Sequence, residues 1–207
     1  MPSFQYLALG DSYTIGESVA AHERWPNQLA ALIEASPEFA TRRMEVSIIA
    51  RTGWTTQELW QGIQDQKLTP PYDFVSLLIG VNNQYRGYDL EEYRKQFAFL
   101  LNKSIDYAGG DPQRVIVLSI PDWGVTPFAQ GRDRTQIAKE IDAFNAVNRE
   151  ETAQAGAQYM DITPISRQAV HNPALIASDG LHPAGEMYAE WAKLVLPIIK
   201  NVLQKAE

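Results

Sequence analysis

The chain has 207 residues, 45% of them hydrophobic and 21% charged, the size and balance of one ordinary globular domain with a sizeable core. A formal net charge of −7 and the lack of any long Lys/Arg run disfavour a nucleic-acid partner, the pair at Arg42 and Arg43 being too short for a phosphate footprint. Cysteine is absent, which excludes disulfides, thiolate zinc sites and thiol catalysis.

In chain order, short apolar runs alternate with longer segments of helical period, the pattern of βαβ units. Residues 4–9 make the first expected strand, which breaks at Gly10-Asp11-Ser12. This start has no basic n-region or apolar h-region, and nothing later reaches the ~18 apolar residues of a membrane span. A soluble, cytoplasmic protein is therefore expected, or a periplasmic or secreted one if a leader has been removed.

A helix over 25–35 leads to a second strand at 45–50, and a helix over 56–66 leads to a third at 74–79. The third and fourth strands, FVSLLI at 74–79 and VIVLSI at 115–120, are almost continuously apolar, as parallel strands covered on both faces are. Between them, DLEEYRKQFAFLLNKSIDYAGG carries Asp89 as N-cap with Glu92 three residues on. Leu90, Tyr93, Phe97, Leu101 and Ile105 form its apolar stripe, and Gly109 and Gly110 are its stop. A helix over 135–155 ends ahead of Gly156, a fifth strand covers 158–162, and a last helix over 183–204 is expected to kink at Pro197. No repeat or linker interrupts the chain, so a single domain over 1–207 is expected.

Open parallel sheets bind ligands outside the carboxyl ends of their strands, so the βα loops are where chemistry is sought. After strand one, a turn at Ser12 can expose its hydroxyl and point backbone N–H groups at one spot, a geometry that suits a nucleophile. Asp and Ser are equally favoured as turn and cap residues, so this tripeptide does not decide by itself. In SDGLHPAG, Asp179 precedes His182 by three residues. A compact turn at that spacing sets the carboxylate against the Nδ1–H and leaves Nε2 free as a base; the same residues also suit a plain turn and a helix start. His22 and His171 have no such partner and read as surface or loop residues.

Gly53 in RTGWTT and Asn82 in GVNNQYRG offer a backbone N–H and an amide to a developing oxyanion, though glycine also serves left-handed turns and asparagine is common in loops. The joint occurrence carries the weight. A serine, a backbone donor, an amide donor and an Asp/His pair follow strands one, two, three and five on one rim of one sheet. Trp54, Tyr85 and Trp123 lie in the same loops, where they can wall an apolar acyl slot, stack on a sugar ring, or pack as core or lid.

The ordered blocks LGDSYTIG, RTGWTT, IGVNNQYRG and SDGLHP resemble those of the SGNH (GDSL-type) hydrolases, and the resemblance spans nearly the whole chain. It implies an α/β fold of three α/β/α layers, with five parallel strands in flavodoxin-like order. Ser12 is then the nucleophile, Asp179 and His182 complete the triad, and the Ser12 and Gly53 N–H groups with the Asn82 amide form the oxyanion hole. The implied partner is a small-molecule ester, and the implied chemistry requires no metal or organic cofactor. The family covers lipases, thioesterases, arylesterases and carbohydrate acetylesterases. Short acyl chains are expected here, such as acetyl esters of carbohydrates or small alcohols, because so small a chain has few residues to spare for a long tunnel or lid. Two positions depart from the usual pattern: GDSL is GDSY, with Tyr13 able to pack as leucine would, and Gly-x-Asn-Asp is GVNN, with Asn83 keeping the shape without the charge. Nothing in the sequence sets an oligomeric state.

Two other readings compete. A metal-dependent phosphoesterase would use Asp11, Asp179 and His182 as ligands, but no further His or carboxylate cluster completes the set. A non-catalytic flavodoxin-like module would hold an anion at GDSYTIG. The ordinary α/β-hydrolase elbow, Gly-x-Ser-x-Gly, fails at Thr14.

Overall fold

The computed structural model describes residues 3–205, so the two residues at each end of the expected 1–207 span lie outside the described residues. Five strands, β1 (Ser3–Gly10), β2 (Arg43–Ala50), β3 (Phe74–Leu78), β4 (Val115–Leu118) and β5 (Gln158–Met160), form one parallel sheet in the order β2-β1-β3-β4-β5. This is the doubly wound, flavodoxin-like order. β1 is flanked on both sides, in register with β2 from Ser3↔Arg43 to Gly10↔Ala50 and with β3 from Tyr6↔Phe74 to Gly10↔Leu78. Every residue of β3 and β4 is buried, which accounts for their unbroken apolar runs.

The helices are α1 (Ser12–Ile15), α2 (Trp25–Glu34), α3 (Thr56–Gln64), α4 (Val81–Tyr85), α5 (Leu90–Tyr107), α6 (Arg134–Ala155), α7 (Thr163–Arg167) and α8 (Gly185–Lys205). α2 packs with α8 on one face of the sheet, while α3, α5 and α6 pack in sequence on the other. Trp25 and Trp191 fill the first layer, and Tyr93 and Phe97 the second. Across β1 and β3, the register partners Tyr6 and Phe74 stack with ring centroids 4.0 Å apart.

Local chemistry sets the element ends. Asp89 caps α5, its Oδ1 accepting from the N–H groups of Glu91 and Glu92 at 3.0 Å each; the Glu92 carboxylate does not return to the cap but accepts from Gln96 Nε2 at 2.9 Å. α8 begins at Gly185 rather than 183, because Pro183 is held in an antiparallel bridge with Ile176, and it continues through Pro197 to Lys205. β4 stops two residues short of the expected 120. There the Asn145 side chain of α6 replaces the ladder, with Oδ1 accepting from Ile120 N–H at 2.7 Å and Nδ2 donating to Ile120 O at 3.0 Å and to Thr163 Oγ1 at 3.0 Å. The short helices α1 and α4, too brief for any periodicity, follow β1 and β3 directly and lie at the carboxyl-end rim of the sheet.

Asn145→Leu keeps the volume of this buried side chain but strands the N–H of Ile120, while Ile120 O keeps the Thr163 hydroxyl as a donor at 2.8 Å. At about 1–3 kcal/mol for one unsatisfied buried group, the expected loss is about 1–3 kcal/mol, measured as a lower urea midpoint at an unchanged m-value.

Candidate active site

The strand-to-helix turn after β1 brings Ser12 and Tyr13 to the cleft. Asp11 caps α1, its Oδ1 accepting from Tyr13 N–H at 3.0 Å, while Asp11 O accepts from the N–H groups of Thr14 at 3.1 Å and Ile15 at 3.0 Å. The Ser12 N–H, first in the turn, is left outside this set and remains a donor for a ligand. Asp11 itself is fully buried, and its Oδ2 has no partner. Burial pushes its carboxyl up to about 7 against the lowering effect of the Tyr13 N–H.

The loop before α8 is a closed turn. Gly180, with a φ of 73°, lets Asp179 Oδ1 accept from Leu181 N–H at 2.9 Å and His182 N–H at 3.0 Å, while Ala177 N–H donates to His182 O at 2.8 Å. Oδ2 faces the His182 ring, 2.6 Å from Nδ1, which assigns the proton to Nδ1 and leaves Nε2 as the free base. Burial pushes the Asp179 carboxyl up, but hydrogen bonds from the Ser18 hydroxyl, the His182 ring and the N–H groups of Leu181 and His182 outweigh it and hold the group well below the usual carboxylate range. The Tyr13 ring packs edge-on against the imidazole, with centroids 5.8 Å apart.

Two further loops complete the rim. Gly53 has a φ of 85°, a backbone that L side chains rarely adopt, and its carbonyl accepts from Arg86 Nη2 at 2.6 Å. Asn82 anchors one amide hydrogen on Trp54 O at 2.9 Å, so its second remains available. Asn83 is fully buried, with Oδ1 accepting from Thr56 N–H at 3.1 Å and Nδ2 donating to Thr56 Oγ1 at 2.8 Å.

Ser12, Gly53, Asn82 and His182 line one cleft of about 180 Å³ together with Tyr13, Thr52, Val81, Tyr85, Trp123, Phe128 and Leu181. No hydrogen bond joins Ser12 to His182 among the described residues; such bonds are often loose before substrate binds. Asn83 is not in the cleft, and neither is Trp54, whose ring lies against Gly62 of α3 so closely that a Cβ there would come within 2.1 Å of it. Among the described residues, no group of three or more His, Asp or Glu is placed to hold a metal ion. A cavity of equal volume at the opposite rim, between Asp111, Gln113, Arg114, Gln158 and Lys205, contains neither serine nor histidine.

The model of the GDSL-like lipase/acylhydrolase family matches residues 8–190. The chain belongs to that family. Among solved structures, the hydrolase is similar to a member of the lipolytic G-D-S-L family from Veillonella parvula, at 18% identity and a TM-score of 0.72 over 95% of this chain and 98% of that one. An acetylxylan esterase from Geobacillus stearothermophilus aligns at 19% identity and 0.73 over 95% and 94%, and a lipase/acylhydrolase from Enterococcus faecalis at 20% and 0.72 over 96% of each chain. A comparison with curated protein sequences finds no match.

The hydrolase's cleft has a wall that sequence reading finds only in part. Tyr85 and Trp123 meet edge-on at 5.4 Å, and Phe128 closes against both at 6.3 and 5.9 Å. Trp123 Nε1 donates to Gln84 Oε1 at 2.8 Å, and the Arg132 guanidinium lies 5.3 to 5.5 Å from all three ring centres. Phe128, Leu181, Val81 and Thr52 are additions to the expected set. Leu181 sits inside SDGLHP and could have been read from its neighbours, whereas Phe128 carries no local signal.

The buried Asp11 makes a pH-dependent stability prediction. Its folded value, about 7, lies above the ordinary carboxyl value of ~3.9, so its contribution is fully present below about pH 4 and is lost as pH rises through 7. Asp11→Asn keeps an oxygen to cap Tyr13 N–H but cannot ionise. Urea unfolding should show the parent losing stability between pH 5 and 8 relative to this variant; parallel curves for the two proteins would refute the assignment. Asp179, whose value is lowered, acts only below about pH 4 and stays out of this window.

Proposed function

We propose that this hydrolase is a serine esterase that cleaves esters of short acyl chains, acetyl esters of carbohydrates or small alcohols above all, through an acyl-enzyme. The observation that carries the reading is the convergence of Ser12, Gly53, Asn82 and His182, from four loops, on one cleft of about 180 Å³. His182 Nε2 takes the Ser12 hydroxyl proton as Oγ attacks the ester carbonyl, and the N–H groups of Ser12 and Gly53 with the free Asn82 N–H receive the oxyanion. His182 then returns the proton to the departing alcohol. Water, deprotonated by the same nitrogen, attacks the acyl carbonyl and releases the acid and the free Ser12 hydroxyl.

The size argument favours small acyl groups. Pockets for drug-sized ligands run to roughly 300–1,000 Å³, and this cleft is smaller and bounded by three rings. The exposed faces of Tyr85 and Phe128 are also surfaces on which a sugar ring can stack, and the shared fold of an acetylxylan esterase makes acetylated sugars the first substrates to test. In a panel of p-nitrophenyl esters, kcat/KM should be highest for acetyl to butyryl and fall steeply by octanoyl. A maximum at long chains would remove the short-acyl reading.

Ser12→Ala should cost several orders of magnitude in kcat with the fold retained, and a fluorophosphonate should label Ser12 alone. Near-normal turnover by the folded variant would end the triad reading, and loss of parent activity to a chelator would favour the metal-dependent alternative. The two amides should separate. Asn82→Ala removes an oxyanion donor and should lower kcat about 100- to 1000-fold with little change in KM. Asn83→Asp should stay within about tenfold, since a carboxylate accepts equally well from Thr56 N–H and can compete with Gln96 Oε1 for the Thr56 hydroxyl. The reverse ranking in steady-state kinetics would mean that the roles are exchanged.

A further inference from the structure

Ser18, in the loop leaving α1, has a φ of 66° and is the one non-glycine residue with a positive φ among the described residues. Glycine adopts this backbone freely, while serine has to be held there. What the position gains is a contact: the Ser18 hydroxyl donates to Asp179 Oδ2 at 2.6 Å, from 161 residues away in sequence. That is the oxygen facing His182 Nδ1, also at 2.6 Å, whereas Oδ1 is occupied by the N–H groups of the turn. The neighbouring residue shows that the loop is built to reach both sides of the site. Glu17, flanked by the left-handed Gly16 and Ser18, accepts a hydrogen bond from the hydroxyl of Thr52, next to Gly53.

We infer that Ser18 is a positioning residue of the catalytic relay, kept in a left-handed backbone so that its hydroxyl fixes Asp179 Oδ2 and shares the negative charge that His182 sees. Strained backbone at a functional site is most economically explained by the contact it secures. This inference rests on the triad reading above. Its consequence has a definite sign. With the hydroxyl removed, Asp179 directs more of its charge at the imidazole, the protonated ring is favoured, and the rise of activity with pH on the acid limb moves to higher pH. The carboxylate also loses a tether, which lowers the rate at the plateau.

The other titratable groups around the pair, among the described residues, are Tyr13 and Tyr188, which burial keeps neutral, together with Asp11, the Glu17 carboxylate and, beyond Tyr13, Asp122, which is paired with Arg167; none of them donates to Asp179. Asp11 titrates in the same range as an imidazole, so the comparison is made in the parent and again in Asp11→Asn.

The experiment measures kcat, KM and kcat/KM against pH for the parent, Ser18→Gly, Ser18→Asn and Ser12→Ala on one short-chain ester, with thermal unfolding of each. Ser18→Gly should fold with a Tm equal to or above that of the parent. Its plateau kcat should drop roughly 3- to 30-fold at nearly constant KM, and its acid limb, the rise of activity with pH, should move up by roughly a few tenths to one pH unit. Asparagine tolerates the left-handed region and carries an amide donor, so Ser18→Asn should recover part of both effects. A Ser18→Gly protein with the parent's limb and kcat, whatever its Tm, overturns the inference, as does a shift that vanishes in the Asp11→Asn background. Ser12→Ala separates the two levels: if it stays active, the triad reading itself fails, and if it is inactive beside an unchanged Ser18→Gly, only the role of Ser18 is lost.

Discussion

No side chain fits at Gly10, and the geometry of the active rim follows from that restriction. A Cβ there would lie 2.2 Å from Thr14 Oγ1 and 2.5 Å from the carbonyl oxygen of Leu78, because β1 is enclosed between β2 and β3 up to its last residue and the chain then folds straight back as α1. Only a bare backbone lets the helix start within two residues of the sheet. The residue between strand and helix is therefore buried, and when it is an aspartate that must cap the turn, its carboxyl sits in the interior with one oxygen unpartnered. Stability lost at this point secures a serine that lines the cleft at the start of α1, the kind of local conflict expected where a fold serves a site rather than itself.

The rest of the rim is held by polar ties between loops distant in sequence. Asn83 of α4 clamps the start of α3 through Thr56; Arg86 bonds Gly53 O and Glu58; Phe128 N–H donates to Gly180 O inside the Asp179–His182 turn at 2.9 Å. Each βα loop is thus fixed by another βα loop as well as by its own strand. Such cross-bracing suits a site whose donors must be aimed before the charge appears on the substrate. It also shows why asparagine serves at position 83 without the carboxylate usual in the family: both bonds it makes go to a single residue, one as acceptor and one as donor, a pairing that an amide meets directly.

How far this was legible in the sequence depended on whether a feature was periodic, local or long-range. The strands and long helices were legible because burial on both faces or on one stripe writes itself as unbroken or 3.6-spaced apolar residues, as in 74–79 and 90–107. The Asp179–His182 pair was legible because its geometry is contained in four residues. Strand ends were not, since β4 gives way to a side chain from α6 that no neighbour of Ile120 announces. Nor was Ser18, because a left-handed serine has no sequence signature and its partner lies 161 positions away. The tryptophans are the most instructive case. Trp54 and Trp123 occupy comparable loops, yet one packs against its own helix and the other lines the cleft, and the difference lies in Gly62, which leaves a notch in α3 that the Trp54 ring fills. A glycine within a helix costs about 1 kcal/mol relative to alanine, so its presence in α3 was itself a signal that something packs there.

The aromatic wall differs in kind from the rim. Tyr85, Trp123 and Phe128 come from α4 and from the turns after β4, and they are positioned by side-chain contacts: the Gln84 bond to Trp123 and the Arg132 guanidinium set over the three rings. The donors proposed for the oxyanion, by contrast, are backbone groups and a short amide tied to backbone. On the proposed reading, chemistry and acyl selection are therefore carried by separate structural means. The depth of the cleft is set by rings that substitution can shrink or enlarge without moving a strand end, while the donors and the Asp179–His182 turn stay fixed by the sheet and its cross-braced loops. One rim can then keep the same catalytic step while its wall is rebuilt for a different acyl group.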